Sequence, residues 1–244
     1  MSKKPKIIFW DIETSLMTVT SFSLRPDFIP HDGIISDWSI LCGAWKELGE
    51  SKTQVVAVEK AGNDKGVCRK LRKVLADADL IVHHNGDKFD LRKLNARLIY
   101  HRLEPLPAIP TVDTLKVARK EFAFTSNRLD YLGKHLLGEG KIHTSPDLWM
   151  RVLKNDKSAI KEMATYNAGD VELLEKIYLT LRPYMKKHPQ LGLLDGGTKT
   201  DCPKCNSINV KKYRIRLNAG GTRVQQYQCQ DCGGYHQGTY KEPK

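Results

Sequence analysis

The sequence predicts an α/β fold, a mixed sheet flanked by helices, with a second, small β module at the C-terminus. Three observations carry this. Three strand-like runs follow one another near the N-terminus, apolar runs of strand length then alternate with segments of helical spacing, and four late cysteines form two Cys-x-x-Cys pairs. A strand meander continued by βα units gives a sheet with both antiparallel and parallel neighbours. Paired cysteines in a short basic tail give a small module stapled by metal.

The elements follow in order. Ile7-Ile8-Phe9-Trp10 is an apolar run closed by Asp11 and Glu13, a buried strand over 6–13. Residues 14–37, with Pro26, Pro30 and Gly33, read as a loop. Strands over 38–45 and 53–58 are separated by a Leu48-Gly49-Glu50-Ser51 turn. Val67, Leu71, Val74 and Leu75 share one face of a helix over 63–76, and Leu80-Ile81-Val82 is a short strand. Phe89, Leu91, Leu94, Leu98 and Ile99 mark a second helix. Thr111-Val112-Asp113 is another strand, with Asp113 or Thr114 placed to cap the helix after it. Further helices cover 127–137 and 157–185. Gly192, Gly196 and Gly197 mark a linker over 192–200 between a domain over 1–191 and a module over 201–244. In that module Val210–Leu217 and Thr222–Cys229 are strands joined by an Asn218-Ala219-Gly220-Gly221 turn.

Composition narrows the function classes. With 40% hydrophobic residues the chain can pack a core, which excludes a disordered protein. No apolar run approaches the roughly 18 residues of a membrane helix. Met1-Ser2-Lys3-Lys4-Pro5-Lys6 leads into only four apolar residues, too few for a signal peptide. An intracellular protein is expected, cytoplasmic or nucleoid-associated, and a viral origin is compatible. The net charge of +12 points to a polyanionic partner, and nine Lys/Arg against three Asp/Glu after residue 195 concentrate it in the tail. Cys42 and Cys68 stand alone among apolar residues and read as inert core thiols.

Three acidic motifs stand out. Asp11 and Glu13 sit at i and i+2, on one face of a strand, and can share a hard cation. Asn85-Gly86-Asp87-Lys88-Phe89-Asp90 lies at a strand-to-helix junction. There Asp90 favours the helix dipole and Phe89 is core by default. Tyr166 and Asp170 sit at i and i+4, one helical turn apart on one face. Each alone is compatible with a solvated acid or a core aromatic.

Together and in this order, the motifs resemble those of the DEDD superfamily of 3′→5′ exonucleases, which share a ribonuclease H-like fold. Asn127-Arg128-Leu129-Asp130-Tyr131-Leu132 also resembles a leucine-bearing helix of that family, and the similarity runs over roughly residues 6–185. The resemblance implies that Asp11, Glu13, Asp90 and Asp170 hold two Mg²⁺ or Mn²⁺ ions. The histidine subclass has its His five residues before the last Asp. Here that place is Thr165, while Tyr166, four before, matches the tyrosine subclass. Tyr166 would orient the attacking water. Asn85 and Phe89 would touch the terminal nucleotides, although a turn and a core role explain them as well. The implied activity is release of nucleoside 5′-monophosphates, from single-stranded DNA rather than RNA. No polymerase domain accompanies it in the chain, so a proofreading role would need a separate polymerase or replication protein as partner.

In the tail, Cys202, Cys205, Cys229 and Cys232 match a zinc ribbon holding one structural Zn²⁺. Strand parity puts Lys212, Arg214 and Arg216 on one face, suited to nucleic acid, and Tyr213, Ile215 and Leu217 on the other. The plain alternative is that those three apolar residues pack the ribbon's core and the cations are solvated. Two other functions remain open from sequence. One is a structure-specific endonuclease on the same carboxylates, with residues 14–37 reshaping the channel. The other is a non-catalytic nucleic-acid adaptor.

Overall fold

β1 (Ile7–Thr14) is the centre of the fold because its side chains alternate between two apolar layers. Ile8, Trp10 and Ile12 face one layer; Ile7 and Phe9 face the other. The structure is a computed structural model describing residues 4–145 and 147–240. The basic start Met1–Lys3 and the module's last residues, 241–244, lie outside the described residues.

Residues 14–37 form more than a loop. β2 (Thr18–Val19) and β3 (Ile34–Ser36) pair into a small arm, with Phe22, Leu24 and Phe28 exposed along it. β4 (Ile40–Glu47) then runs antiparallel to β1, and β5 (Gln54–Ala57) antiparallel to β4. α1 (Lys65–Ala76) buries Val67, Cys68, Leu71 and Leu75, the face that the sequence spacing predicts. It crosses to β6 (Leu80–His83), parallel to β1. α2 (Asp90–Tyr100) crosses to β7 (Thr111–Asp113), parallel to β6. The sheet order is β5-β4-β1-β6-β7, the mixed sheet expected of a ribonuclease H-like fold.

Asp113 caps α3 (Thr114–Glu121), accepting from the amides of Leu115 and Lys116. α4 (Leu129–Leu137) ends at Gly138, which has φ +72. A short α5 (Leu148–Leu153), not legible from spacing, precedes α6 (Lys157–Leu181). α6 stops four residues before the expected 185, and a 3₁₀ turn over Arg182–Tyr184 follows it. Pro183 has no amide hydrogen to continue the α-helical ladder. Cys42 and Cys68 are buried, and burial pushes the Cys68 thiol up to about 12.

The C-terminal module is a three-stranded sheet, order β10-β9-β8, of β8 (Val210–Leu217), β9 (Arg223–Cys229) and β10 (Tyr235–Thr239). The segment before it is tied down at several points. His188 joins α6 to the module: its Nδ1 donates to the Pro203 carbonyl at 2.8 Å, so its Nε2 accepts from the Tyr178 hydroxyl at 2.8 Å. Gly192 donates its amide to Asn206 Oδ1 at 3.0 Å, and Lys204 Nζ donates to the Pro183 carbonyl.

Candidate active site and metal centres

The strand parity of β1 decides where its acids go. Asp11 and Glu13 continue the face of Ile7 and Phe9, and Phe9 packs edge-on against Tyr178 of α6 at 5.3 Å. The two carboxylates therefore point at α6, one helical turn after another down from Tyr178. There they meet Asp170: ligand oxygens of Asp11, Glu13 and Asp170 all lie within 4.8 Å of one another. Asp90, at the start of α2, is buried, and its Oδ1 accepts from the Ile12 amide at 3.3 Å. Three of the four acids thus converge directly. The fourth grips the backbone between two of them.

Asn85 and Gly86 build the turn that delivers Asp90. Asn85 has φ +70, donates its amide to Asp113 Oδ1 at 2.9 Å, and accepts from Lys88 and Phe89 with its carbonyl. Gly86 lies flat on the His83 ring; a Cβ there would come within 2.4 Å of it. Phe89 is not core: it is 41% exposed at the edge of the site, with Lys93 Nζ 5.3 Å from its ring.

Two residues that sequence reasoning passed over complete the site. Lys141, in the loop after α4, reaches Asp170 Oδ2 at 2.5 Å and the Tyr166 hydroxyl at 3.2 Å. Asn167, fully buried on α6, donates its amide to Asp11 Oδ2 at 2.7 Å. Asn167 could be read as part of the Tyr166–Asp170 turn. Nothing local marks Lys141.

One ammonium does not balance four acids. Burial, then the neighbouring Asp90, Glu13 and Asp170, push Asp11 well above the carboxylate range. Burial and Asp170 raise Glu13 to about 8, and burial raises Asp90 to about 6. Asp170 is raised as well, against the pull of Lys141. Its Oδ1 is buried without a hydrogen-bond partner. Crowded oxygens with an unpartnered lone pair fit hard divalent cations. Tyr166 is raised by burial and Asp170, so the phenol stays neutral near pH 7.

A stability prediction follows. With the folded values of Glu13 and Asp90 above those of the unfolded chain, the native state binds more protons between about pH 4 and pH 8. Their contribution is fully present below about pH 4 and is lost as pH rises through 6 and 8. In EDTA, urea unfolding should show stability falling from pH 6 to pH 8.5, and Mg²⁺ or Mn²⁺ should remove that fall. An equal fall in a Glu13→Gln, Asp90→Asn variant would sink this assignment.

The second centre lies in the C-terminal module. All four late cysteine sulfurs fall within 4.8 Å of one another, with Cys202–Cys232 at 3.7 Å and Cys205–Cys229 at 3.6 Å. A tetrahedron with metal–sulfur bonds of about 2.3 Å has edges of about 3.8 Å. A disulfide needs about 2.05 Å. The spacing fits a closed four-thiolate metal site. Two further groups hold protein cations: Arg97 forks onto Asp64 beside Cys68 and His101, and Lys116 sits on Asp87 beside His83 and Asp113, where His83 Nδ1 and Asp113 Oδ2 are buried without a hydrogen-bond partner.

On the ribbon surface the structure corrects strand parity. Tyr213 is the extra residue of a bulge between Lys212 and Arg214. Lys212 lies opposite buried Tyr227, whereas Arg214 and Arg216 lie opposite Gln226 and Val224. The three cations therefore do not share a face; Lys211, opposite Gln228, joins the two arginines instead. Nor do Tyr213, Ile215 and Leu217 pack a core, since all three are exposed.

Residues 32–182 match a family described as the RNase_H superfamily. A stretch of 77 residues, 32% of the chain, is 36% identical to "DNA polymerase III PolC-type" of Ureaplasma parvum serovar 3, and spans 5% of that protein. Among solved structures, the family B DNA polymerase of the hyperthermophilic archaeon Pyrobaculum calidifontis is similar in fold. Its TM-score is 0.52 at 13% identity, covering 88% of this chain and 31% of the polymerase. The chain thus spans a small part of each relative. Among the described residues, no helix is long and apolar enough to cross a membrane.

Proposed function

The chain belongs to the RNase H superfamily, and we propose that within it the protein is a metal-dependent 3′→5′ exonuclease of the tyrosine-subclass DEDD type, releasing nucleoside 5′-monophosphates from single-stranded DNA. The observation that carries this is the convergence of Asp11, Glu13 and Asp170 from β1 and α6, with Tyr166 one turn from Asp170 and Asp90 bonded to the Ile12 amide between the two β1 acids. Asp11, Glu13, Asp90 and Asp170 would hold two Mg²⁺ or Mn²⁺ ions. Such ions supply activation of a water and stabilisation of the leaving oxygen of a phosphodiester.

The protein's own groups do the rest. Asn167 fixes one oxygen of Asp11, leaving the other for a ligand. Lys141 supplies positive charge to Asp170 and Tyr166 across 29 residues of chain and so locks the two in register. Burial opposes its ammonium, but the carboxylates outweigh burial and hold its pKa above the ordinary lysine value. Neutral Tyr166 can orient a water by hydrogen bonding but is a poor base. Exposed Phe89 offers a ring for the terminal base. The four ribbon cysteines would hold one structural Zn²⁺. Similarity to a PolC-type DNA polymerase supports action on nucleic acid, and a polymerase as partner.

One observation favours a second reading. The β2–β3 arm follows directly on the acids of β1 and exposes Phe22, Leu24 and Phe28, apolar side chains that could grip a branch or junction. A time course on 5′-labelled single-stranded DNA with Mg²⁺ or Mn²⁺ separates the two. The expected result is a ladder shortening from the 3′ end, abolished by EDTA. A single internal product on branched DNA, with no ladder, would establish the endonuclease instead.

A further inference from the structure

Between the nuclease domain and the ribbon runs a groove of about 1290 Å³, lined by α3, the turn after α6 and the ribbon sheet. That exceeds the roughly 300–1,000 Å³ of a small-molecule pocket. Its walls are basic and aromatic. Lys116 and Lys120 stand one turn apart on α3, Lys187 lies on the turn after α6, and Tyr184 and Tyr235 are exposed. Lys116 is paired with Asp87, and Lys186 with Glu121, but among the described residues neither Lys120 nor Lys187 makes a salt bridge.

The bulge at Tyr213 extends this wall. Gln226 and Gln237 face each other across β9 and β10 and line the groove, and Tyr235, opposite Gln228, shares their face. Lys211 lies on that same face, and the bulge brings Arg214 and Arg216 to it. The Tyr213 ring meets Tyr235 edge-on at 5.2 Å, and Arg214 lies over the Tyr213 ring at 5.1 Å. The groove also reaches Asp113, whose Oδ1 accepts from the Asn85 amide at 2.9 Å in the turn that leads into Asp90. One cationic, aromatic surface therefore leads from the edge of the ribbon to the carboxylate site.

We infer that this groove carries a single strand of nucleic acid from the ribbon to the carboxylate site, with Lys120 and Lys187 on its phosphates and Tyr184 and Tyr235 against its bases. Cations set among exposed aromatic rings suit a strand whose bases are unpaired. The inference deepens the exonuclease reading and rests on it only for the direction of travel. A protein partner would need no run of unpaired cations, and a small ligand would leave most of the groove unfilled.

The test uses the full chain and a 5′-fluorescent 20-nucleotide DNA strand, with binding read by anisotropy in EDTA over a range of salt. Lys120→Glu with Lys187→Glu should weaken binding roughly tenfold and make the log–log salt dependence shallower by about 1.4, about 0.7 for each lost phosphate contact. Lys212→Glu, on the opposite face of β8, should cost much less. In turnover, the double variant should lose the KM advantage that a 20-nucleotide strand has over a dinucleotide. Unchanged affinity and salt slope in the double variant, or an equal loss per charge at Lys212, would overturn the groove. Absence of any turnover in the unmodified protein would strike the exonuclease reading alone, because the binding measurement still decides the groove.

Discussion

Asp170→Ala is expected to lower turnover of single-stranded DNA by about 10³-fold or more while the fold survives. Metal ions contribute several kcal/mol to such a hydrolysis, and each 1.36 kcal/mol is a factor of ten. Asp170 holds three positions at once. It closes the triad of oxygens with Asp11 and Glu13, it anchors Lys141, and it sits one turn from Tyr166. Removing it leaves Lys141 with Asp11 still acting on its charge, so the ammonium is not stranded. It also removes one of four mutually repelling acids, and the variant should therefore unfold in EDTA at or above the temperature of the parent. Asp170→Asn keeps the volume and should lose as much activity. Initial rates with Mn²⁺ beside thermal unfolding in EDTA make the check. Activity within tenfold of the parent in a folded variant would overturn the site.

How much of this site could be read from sequence follows from how each residue reaches it. Asp11 and Glu13 were legible because an uninterrupted strand fixes their face, and Tyr166 with Asp170 because a helical turn does. Lys141 was not, because it is one of forty Lys/Arg, on a loop, and meets Asp170 only through the fold. For Phe89 sequence left a core role open beside the nucleotide contact, because an apolar residue before a helix is buried by default. Here the turn at Asn85 directs Asp90 inward and leaves the ring at the surface. On β8 the parity rule failed for a definite reason. One inserted residue reverses every side chain after it, and Tyr213, unlike a glycine, gives no sign of a bulge. The same limit hid the β2–β3 arm, whose strands are two and three residues long.

Cys205→Ser, or prolonged chelation, should unfold the ribbon outright while the nuclease domain stays folded. Among the described residues from 201 onward, the buried hydrophobic ones are Cys202, Tyr227 and Cys229, and two of those three are metal-ligand candidates. One tyrosine, stacked on His236 at 5.4 Å, is no core for a three-stranded sheet. The folding free energy must come from elsewhere, and four thiolates on one Zn²⁺ supply about 10–16 kcal/mol in small zinc modules near neutral pH. Elemental analysis of the purified chain should find one zinc per molecule, and limited proteolysis of the variant should cut within 201–240 and spare residues before 182. Because β9 and β10 form one wall of the groove, the variant should also bind the 20-nucleotide strand at least as weakly as the Lys120→Glu, Lys187→Glu protein. A metal-free protein prepared under reducing conditions, with the ribbon still resistant to protease, would remove the four-thiolate centre. The sheet would then have to be held by its contacts with the nuclease domain, through Lys204 and His188.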